Sequence, residues 1–176
     1  NKEQEGFTYN PEKAKQLLDE AGYKDVDGDG LRENKDGSKL QINFAARTRD
    51  EANESLVQQY LNWWKEIGLD VKLYTGRTIE LNSFYDKVQA DDPEIDVFAG
   101  GWSTGYDPNP EGLFGESAKF NFERYVDAEG TAIMDKISST ESFDSAKNIG
   151  FYKEWQKYVH DKAFIFPTLV GESITA

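Results

Sequence analysis

No cysteine occurs among the 176 residues, which removes disulfides, thiolate metal sites and cysteine nucleophiles together. Histidine is nearly as scarce. The only one, His160, follows Tyr158 and Val159 in a helical stretch and reads as a surface or helix-end residue rather than a general base. No apolar run approaches membrane-spanning length, and no stretch has the pattern of a signal peptide. Basic residues are outnumbered, 20 to 33, and the net charge of -13 leaves no basic stripe, which argues against nucleic acid as a partner. Neither a nucleophile elbow nor a phosphate loop is present, since Gly28-Asp29-Gly30 is too acidic to cradle phosphate. With 33 acidic residues a carboxylate pair at glycosidase separation is available by chance, but no pattern selects one. Internal repeats, low-complexity tracts and interdomain linkers are also missing.

Aromatic residues, by contrast, are abundant. Four Trp, nine Tyr and eleven Phe argue for a packed core despite a mean hydropathy of -0.74. The length suits one domain, so residues 1–176 read as a single α/β unit. The chain opens on Asn1 without Met and stops at Ala176, which reads as a mature form or an excised piece.

Hydrophobic spacing gives the order of elements. Asn10-Pro11-Glu12 is a strong helix start, with Ala14, Leu17, Leu18 and Ala21 on one face and Gly22 as the stop. The Leu pair is expected to dock this helix. Leu40 to Ala46 alternates as a strand, Glu51 to Ile67 as a helix ended by Gly68, and Leu69 to Tyr74 as a second strand. Helical spacing from Thr78 to Gln89 then leads into a strand at Ile95–Ala99. Strand–helix–strand–helix–strand favours a parallel sheet with right-handed crossovers. Farther on, Phe120-Asn121-Phe122 with Tyr125 reads as extended, Ile133, Met134 and Ile137 as one helix, and Phe143 to Val159 as a longer helix or two in sequence. Phe164-Ile165-Phe166 reads as a closing strand, with Pro167 at its end.

Two stretches carry chemistry. The first starts as a buried strand at Ile95, runs through Ala99, Gly100, Gly101, Trp102, Ser103, Thr104, Gly105, Tyr106 and Asp107, and leaves through Pro108 and Pro110. Loops at the C-terminal ends of strands in open α/β sheets are where ligands bind. Glycines there let a ligand's backbone approach, and Trp102 and Tyr106 can wall its side chains. The same pattern also fits a tight turn with two core aromatics. The second stretch, Asp25-Val26-Asp27-Gly28-Asp29-Gly30, places oxygen ligands at alternate positions like the first half of a calcium loop. Asp36 stands where the closing Glu of an EF-hand would sit, and a strand follows where a helix should. Asp25, Asp27 and Asp29 are therefore either ligands of a structural calcium or members of an Asx-turn hairpin without metal.

Several motifs recur in order and resemble one family. Asn10-Pro11-Glu12-Lys13-Ala14 through Leu17-Leu18-Asp19-Glu20-Ala21-Gly22-Tyr23, followed by Asp27-Gly28-Asp29-Gly30, looks like the opening of the C-terminal lobe of solute-binding proteins of oligopeptide ABC transporters. Trp64-Lys65-Glu66-Ile67-Gly68-Leu69-Asp70-Val71, Asp96-Val97 with Gly101-Trp102, and Asp107-Pro108-Asn109-Pro110 match the family's helix–Gly–strand and ligand-facing patterns. Phe120-Asn121-Phe122-Glu123-Arg124-Tyr125 is similar to its Gram-positive, peptide-binding branch. The resemblance implies a type II periplasmic-binding-protein-like lobe, a largely parallel sheet flanked by helices, forming most of the C-terminal lobe of a larger two-lobed protein. It implies capture of an extracellular oligopeptide between two lobes, without catalysis and with no required cofactor, and delivery to a membrane permease. It also implies a missing N-terminal lobe and a location at the extracellular face of the cell membrane, with the full-length protein lipid-anchored, or in the periplasm. A dipeptide, nickel complex or oligosaccharide is the alternative ligand within the family, and a hydrolase is the competing class. Many members carry an acid three residues after the Trp for the peptide's α-ammonium. Here that position is Gly105, and Asp107 is the nearest substitute, or a cap of the Pro-rich turn.

Overall fold

The computed structural model describes residues 6–102 and 107–168. They divide into two compact units, residues 7–102 and residues 107–168 with Gly6, which are described separately.

In the first unit, α1 (Pro11–Ala21) starts where Asn10 accepts the Lys13 N–H and stops at Gly22, whose left-handed φ of 94° a side chain would resist. Its Leu pair does not dock it as expected, because Leu17 is 52% exposed and no residue of the helix is buried. Arg32 anchors it instead. The buried guanidinium donates from Nη1 to Asp19 at 2.5 Å and to the Tyr23 carbonyl at 2.6 Å, and from Nε to the Ile67 carbonyl at 2.7 Å. A buried cation is tolerated only when paired and hydrogen-bonded in this way.

Then follow β1 (Gln41–Ala46), α2 (Glu51–Glu66), β2 (Asp70–Leu73), α3 (Leu81–Gln89) and β3 (Val97–Ala99). Both pairings of β1 are parallel, with Phe44 opposite Leu73 on one side and Val97 on the other, and the strand order is β2-β1-β3. Successive side chains of a strand face opposite ways. Phe44 and Ala46 pack against Val57, Tyr60, Leu61 and Trp64 of α2, while Phe98, level with Ala45, meets Phe84 of α3 at 6.3 Å. Helices thus cover both faces, as the strand–helix alternation implied. The third strand is shorter than the expected Ile95–Ala99 and is not buried: Val97 is 39% exposed, because β3 lies at the edge of the described sheet. Likewise α3 starts later than Thr78, because Glu80 caps it by accepting the Asn82 and Ser83 N–H groups.

The second unit holds α4 (Glu111–Phe114), α5 (Ala128–Ser138), a short 3-10 helix (Thr140–Phe143) and α6 (Ser145–Lys162). Ile133, Met134 and Ile137 are buried against Trp155 and Tyr158 of α6, as their spacing predicts. Phe143 departs from its predicted helical face: it ends the 3-10 helix and is 87% exposed. Residues 120–125 form no strand: the Arg124 N–H donates to the Asn121 side chain, and Arg124 takes a left-handed φ of 51°. Nor do residues 164–166 form a strand. Phe164 leaves α6 to stack on Tyr125, ring centroids 4.7 Å apart, so aromatic packing takes the place of a ladder.

Asp127 ties this unit together. It caps α5 through the Gly130 N–H at 2.7 Å and accepts the Tyr158 hydroxyl at 2.9 Å, with Lys162 at 3.3 Å. The Gly130 N–H foremost, then Tyr158, Lys162 and Tyr125, hold its carboxyl down at about 2, against the opposing pull of burial. Its charged form therefore stabilises the fold above the ordinary carboxylate range, and that contribution is lost as pH falls from about 4 towards 2. Asp127→Asn is expected to flatten the acid limb of a plot of urea midpoint against pH. An acid limb identical to that of the parent protein would show that the group titrates normally.

Candidate functional site

Strand order 2-1-3 places a topological switch point between β1 and β3, since the chain leaves β1 towards β2 and returns on the far side. In open α/β sheets the crevice beyond the carboxyl ends at such a point receives ligands. The residues there are Arg47, just after β1, and Gly100, Gly101 and Trp102, just after β3.

Alternate residues of a parallel strand turn their backbone groups to the same neighbour. The Phe44 and Ala46 carbonyls accept the Tyr74 and Ile79 N–H groups on the β2 side, so Ala45 faces β3, where its partners in the register are the backbone groups of Val97 and Ala99, and Phe98 turns its own to the open edge. Gly101 is engaged differently. Its carbonyl accepts the Tyr85 hydroxyl at 2.8 Å and its N–H donates back at 3.4 Å, pinning the strand exit to α3. Trp102 folds back over its own loop, near-parallel to Phe98 with centroids 6.3 Å apart. A Cβ on Gly100 would stand 2.6 Å from the Trp102 ring, so only glycine permits this arrangement.

Arg47 lies over the Tyr85 ring at 5.6 Å, and its Nη2 is 3.7 Å from where a Gly101 Cβ would stand. Asn53, in the first turn of α2, holds the Arg47 carbonyl at 2.9 Å. Arg47 and Tyr85 join the site although sequence spacing did not single them out. One reads as a loop residue and the other as a helix-face aromatic, and only their long-range contact with Gly101 betrays them.

The remaining sequence candidates fall elsewhere. Ser103 and Tyr106, with Thr104 and Gly105, lie outside the described residues. Asp107 is exposed, and its carboxylate accepts the Asn109 N–H at 2.9 Å, the bond of a turn cap. Asp25, Asp27 and Asp29 do converge, with one oxygen of each within 4.8 Å of the others. They also serve their own loop: Asp25 accepts the Gly28 and Gly30 N–H groups, Asp27 that of Asp29, and Asp29 that of Leu31. Asp36 is occupied by the Ser38 N–H and hydroxyl, which hold its carboxyl below the usual range, and the segment closes as a hairpin through bridges from Glu33 to Lys24 and Lys39. His160 sits in the last turn of α6, beside Asp161.

A parallel sheet flanked by helices, with a glycine exit at its switch point, is the plan of a ligand-binding lobe. The chain belongs to the bacterial extracellular solute-binding proteins of family 5: residues 1–131 match the model described as "Bacterial extracellular solute-binding proteins, family 5 Middle". It is 36% identical over 166 residues to the oligopeptide-binding protein OppA of Lactococcus lactis subsp. lactis (strain IL1403), covering 93% of this chain and 28% of the relative. Among solved structures, lactococcal OppA complexed with an endogenous peptide in the closed conformation superposes with a TM-score of 0.82 at 34% identity, over 87% of this chain and 29% of that one. AppA of Bacillus subtilis in complex with a nonapeptide gives a TM-score of 0.76 at 26% identity, over 89% and 30%. The fold is thus that of the family's periplasmic binding proteins. The chain spans less than a third of the length of these relatives. Among the described residues, no helix is long and apolar enough to cross a membrane.

Proposed function

We propose that this chain is most of one lobe of a two-lobed receptor that captures extracellular oligopeptides and delivers them to the permease of an ABC importer. The observation that carries the reading is the exit of β3. There an edge strand turns the Phe98 backbone groups outward just before Gly100 and Trp102, which suits an extended peptide adding itself as a strand. Peptide complexes of two similar proteins support it. Binding, not catalysis, is the work of such a site: backbone groups, a glycine and an aromatic shelf supply affinity but no nucleophile. A lipid anchor on the full-length protein would hold the receptor at the extracellular face of the cell membrane.

Peptide-induced thermal shifts in the full-length protein, run beside a turnover screen on glycoside and ester substrates, test this reading. Shifts with peptides and no turnover are expected, and turnover without shifts would overturn it. Because a cleft binds by enclosing most of its ligand, the 176-residue chain alone is expected to fold yet bind peptides weakly. Submicromolar calorimetric binding by this chain would contradict the two-lobe reading.

We further infer that the acidic loop needs no calcium. The ion takes about six to eight oxygens, whereas both Asp25 oxygens already accept backbone N–H groups and Asp36 is held by Ser38. Melting is expected to be the same in calcium and in chelator. A true site at a hundredfold excess of calcium over its dissociation constant would add ~2.7 kcal/mol.

A further inference from the structure

Three of the five arginines, Arg47, Arg49 and Arg77, stand in the loops at the carboxyl ends of β1 and β2. Those loops are joined: the Thr48 N–H donates to the Ile79 carbonyl at 2.7 Å, and the Thr48 and Thr78 hydroxyls meet at 2.8 Å. The strip runs from Arg47, beside Gly101, to a groove of about 550 Å³ whose lining includes Thr48, Arg77, Thr78, Glu80, Ser83 and Lys87. Among the described residues none of the three guanidiniums forms an ion pair, whereas Arg32 is paired with Asp19, Lys136 with Glu154 and Lys147 with Glu141. The acids nearest in sequence are used as helix caps, Asp50 by the Asn53 N–H and Glu80 by those of Asn82 and Ser83. Solvated surface arginines need no partner, but here acidic residues outnumber basic ones 33 to 20, and the three cations collect at the end of the sheet where the ligand is placed. Arg47, moreover, is half-buried and oriented by Tyr85.

We propose that this rim is a charge-selective subsite that takes the carboxylates of Asp and Glu side chains, so that the receptor favours acidic over basic peptide segments across the ends of β1 and β2. The proposal rests on the peptide reading above. A planar guanidinium offers paired donors matched to a carboxylate, and the hydroxyls of Thr78 and Ser83 add neutral donors in the groove. A lysine or arginine side chain in the same place would meet like charge from Arg77 and Lys87, while Glu80, the one acid in the groove's lining, is engaged as the cap of α3.

Calorimetry on the full-length receptor with three nonapeptides of one neutral Ala/Ser/Gly framework tests it. One peptide is unsubstituted, one carries Glu at two positions, and one carries Lys at the same two. The Glu peptide is expected to bind about tenfold more tightly than the Lys peptide at low salt, and the ratio is expected to shrink at high salt. In Arg49→Gln/Arg77→Gln, and in Arg47→Gln, it should fall towards one. Equal affinities for the Glu and Lys peptides in the parent protein would overturn the proposal. So would variants that weaken all three peptides together and keep the ratio, since that is structural damage rather than lost charge selection. Failure of all three peptides to bind would instead remove the peptide reading, and the subsite with it.

Discussion

Trp102→Ala is expected to weaken peptide binding to the full-length receptor by about 2 kcal/mol or more, roughly thirtyfold in dissociation constant. The ring is half-buried, lies near-parallel to Phe98 and covers Gly100, so it forms a firm aromatic shelf at the exit of β3. Aromatic shelves of this kind gain most of their contact area when a ligand closes over them. The ring is not among the buried core residues, so the melting temperature should fall only slightly. Calorimetry and a melting curve on the same variant separate the two effects. Unchanged affinity with a collapsed melting temperature would make Trp102 a core residue and take this loop out of the binding site.

Phe44→Ala is expected to do the reverse and cost about 3–5 kcal/mol of stability. Phe44 is 2% exposed on the central strand and meets Trp64 edge-to-face at 5.0 Å, with Tyr60 at 6.4 Å. Removing it empties the space between β1 and α2, and the aromatic neighbours cannot collapse into it while α2 stays anchored at both ends by Asp50 and Gly68. The urea midpoint should drop sharply at nearly constant slope. A loss below about 1 kcal/mol would mean that this aromatic cluster is not the core of the unit.

The two expectations draw on different kinds of information in the chain. Phe44 was legible from sequence because strand alternation and the helix starts at Asn10 and Glu51 are local signals, and the structure keeps those boundaries within a few residues. Glu80 shows the limit of local reading: helical spacing from Thr78 suggested an earlier start, but a side-chain cap sets the boundary. The helices around Met134 and Trp155 were legible for the same reason as β1. Phe143 and Phe164 were not, since a hydrophobic residue does not announce whether its neighbours will bury it, leave it exposed or stack it on another ring. The glycine exit after β3 stood out because Gly100, Gly101 and Trp102 are adjacent. The Tyr85 hydroxyl that pins Gly101, and the Arg47 that rests on Tyr85, become visible only once the order β2-β1-β3 brings three separate segments to one crevice. The same holds for Arg32, which a linear reading leaves inside the acidic loop but which fastens α1 to the turn before β2.

Peptide capture at the sheet's carboxyl edge is tested most directly by identifying what the receptor already holds. Full-length protein purified without denaturation, then unfolded to release its ligand for mass spectrometry, should yield a mixture of oligopeptides. Recovery of an oligosaccharide or a metal chelate in their place would contradict the account.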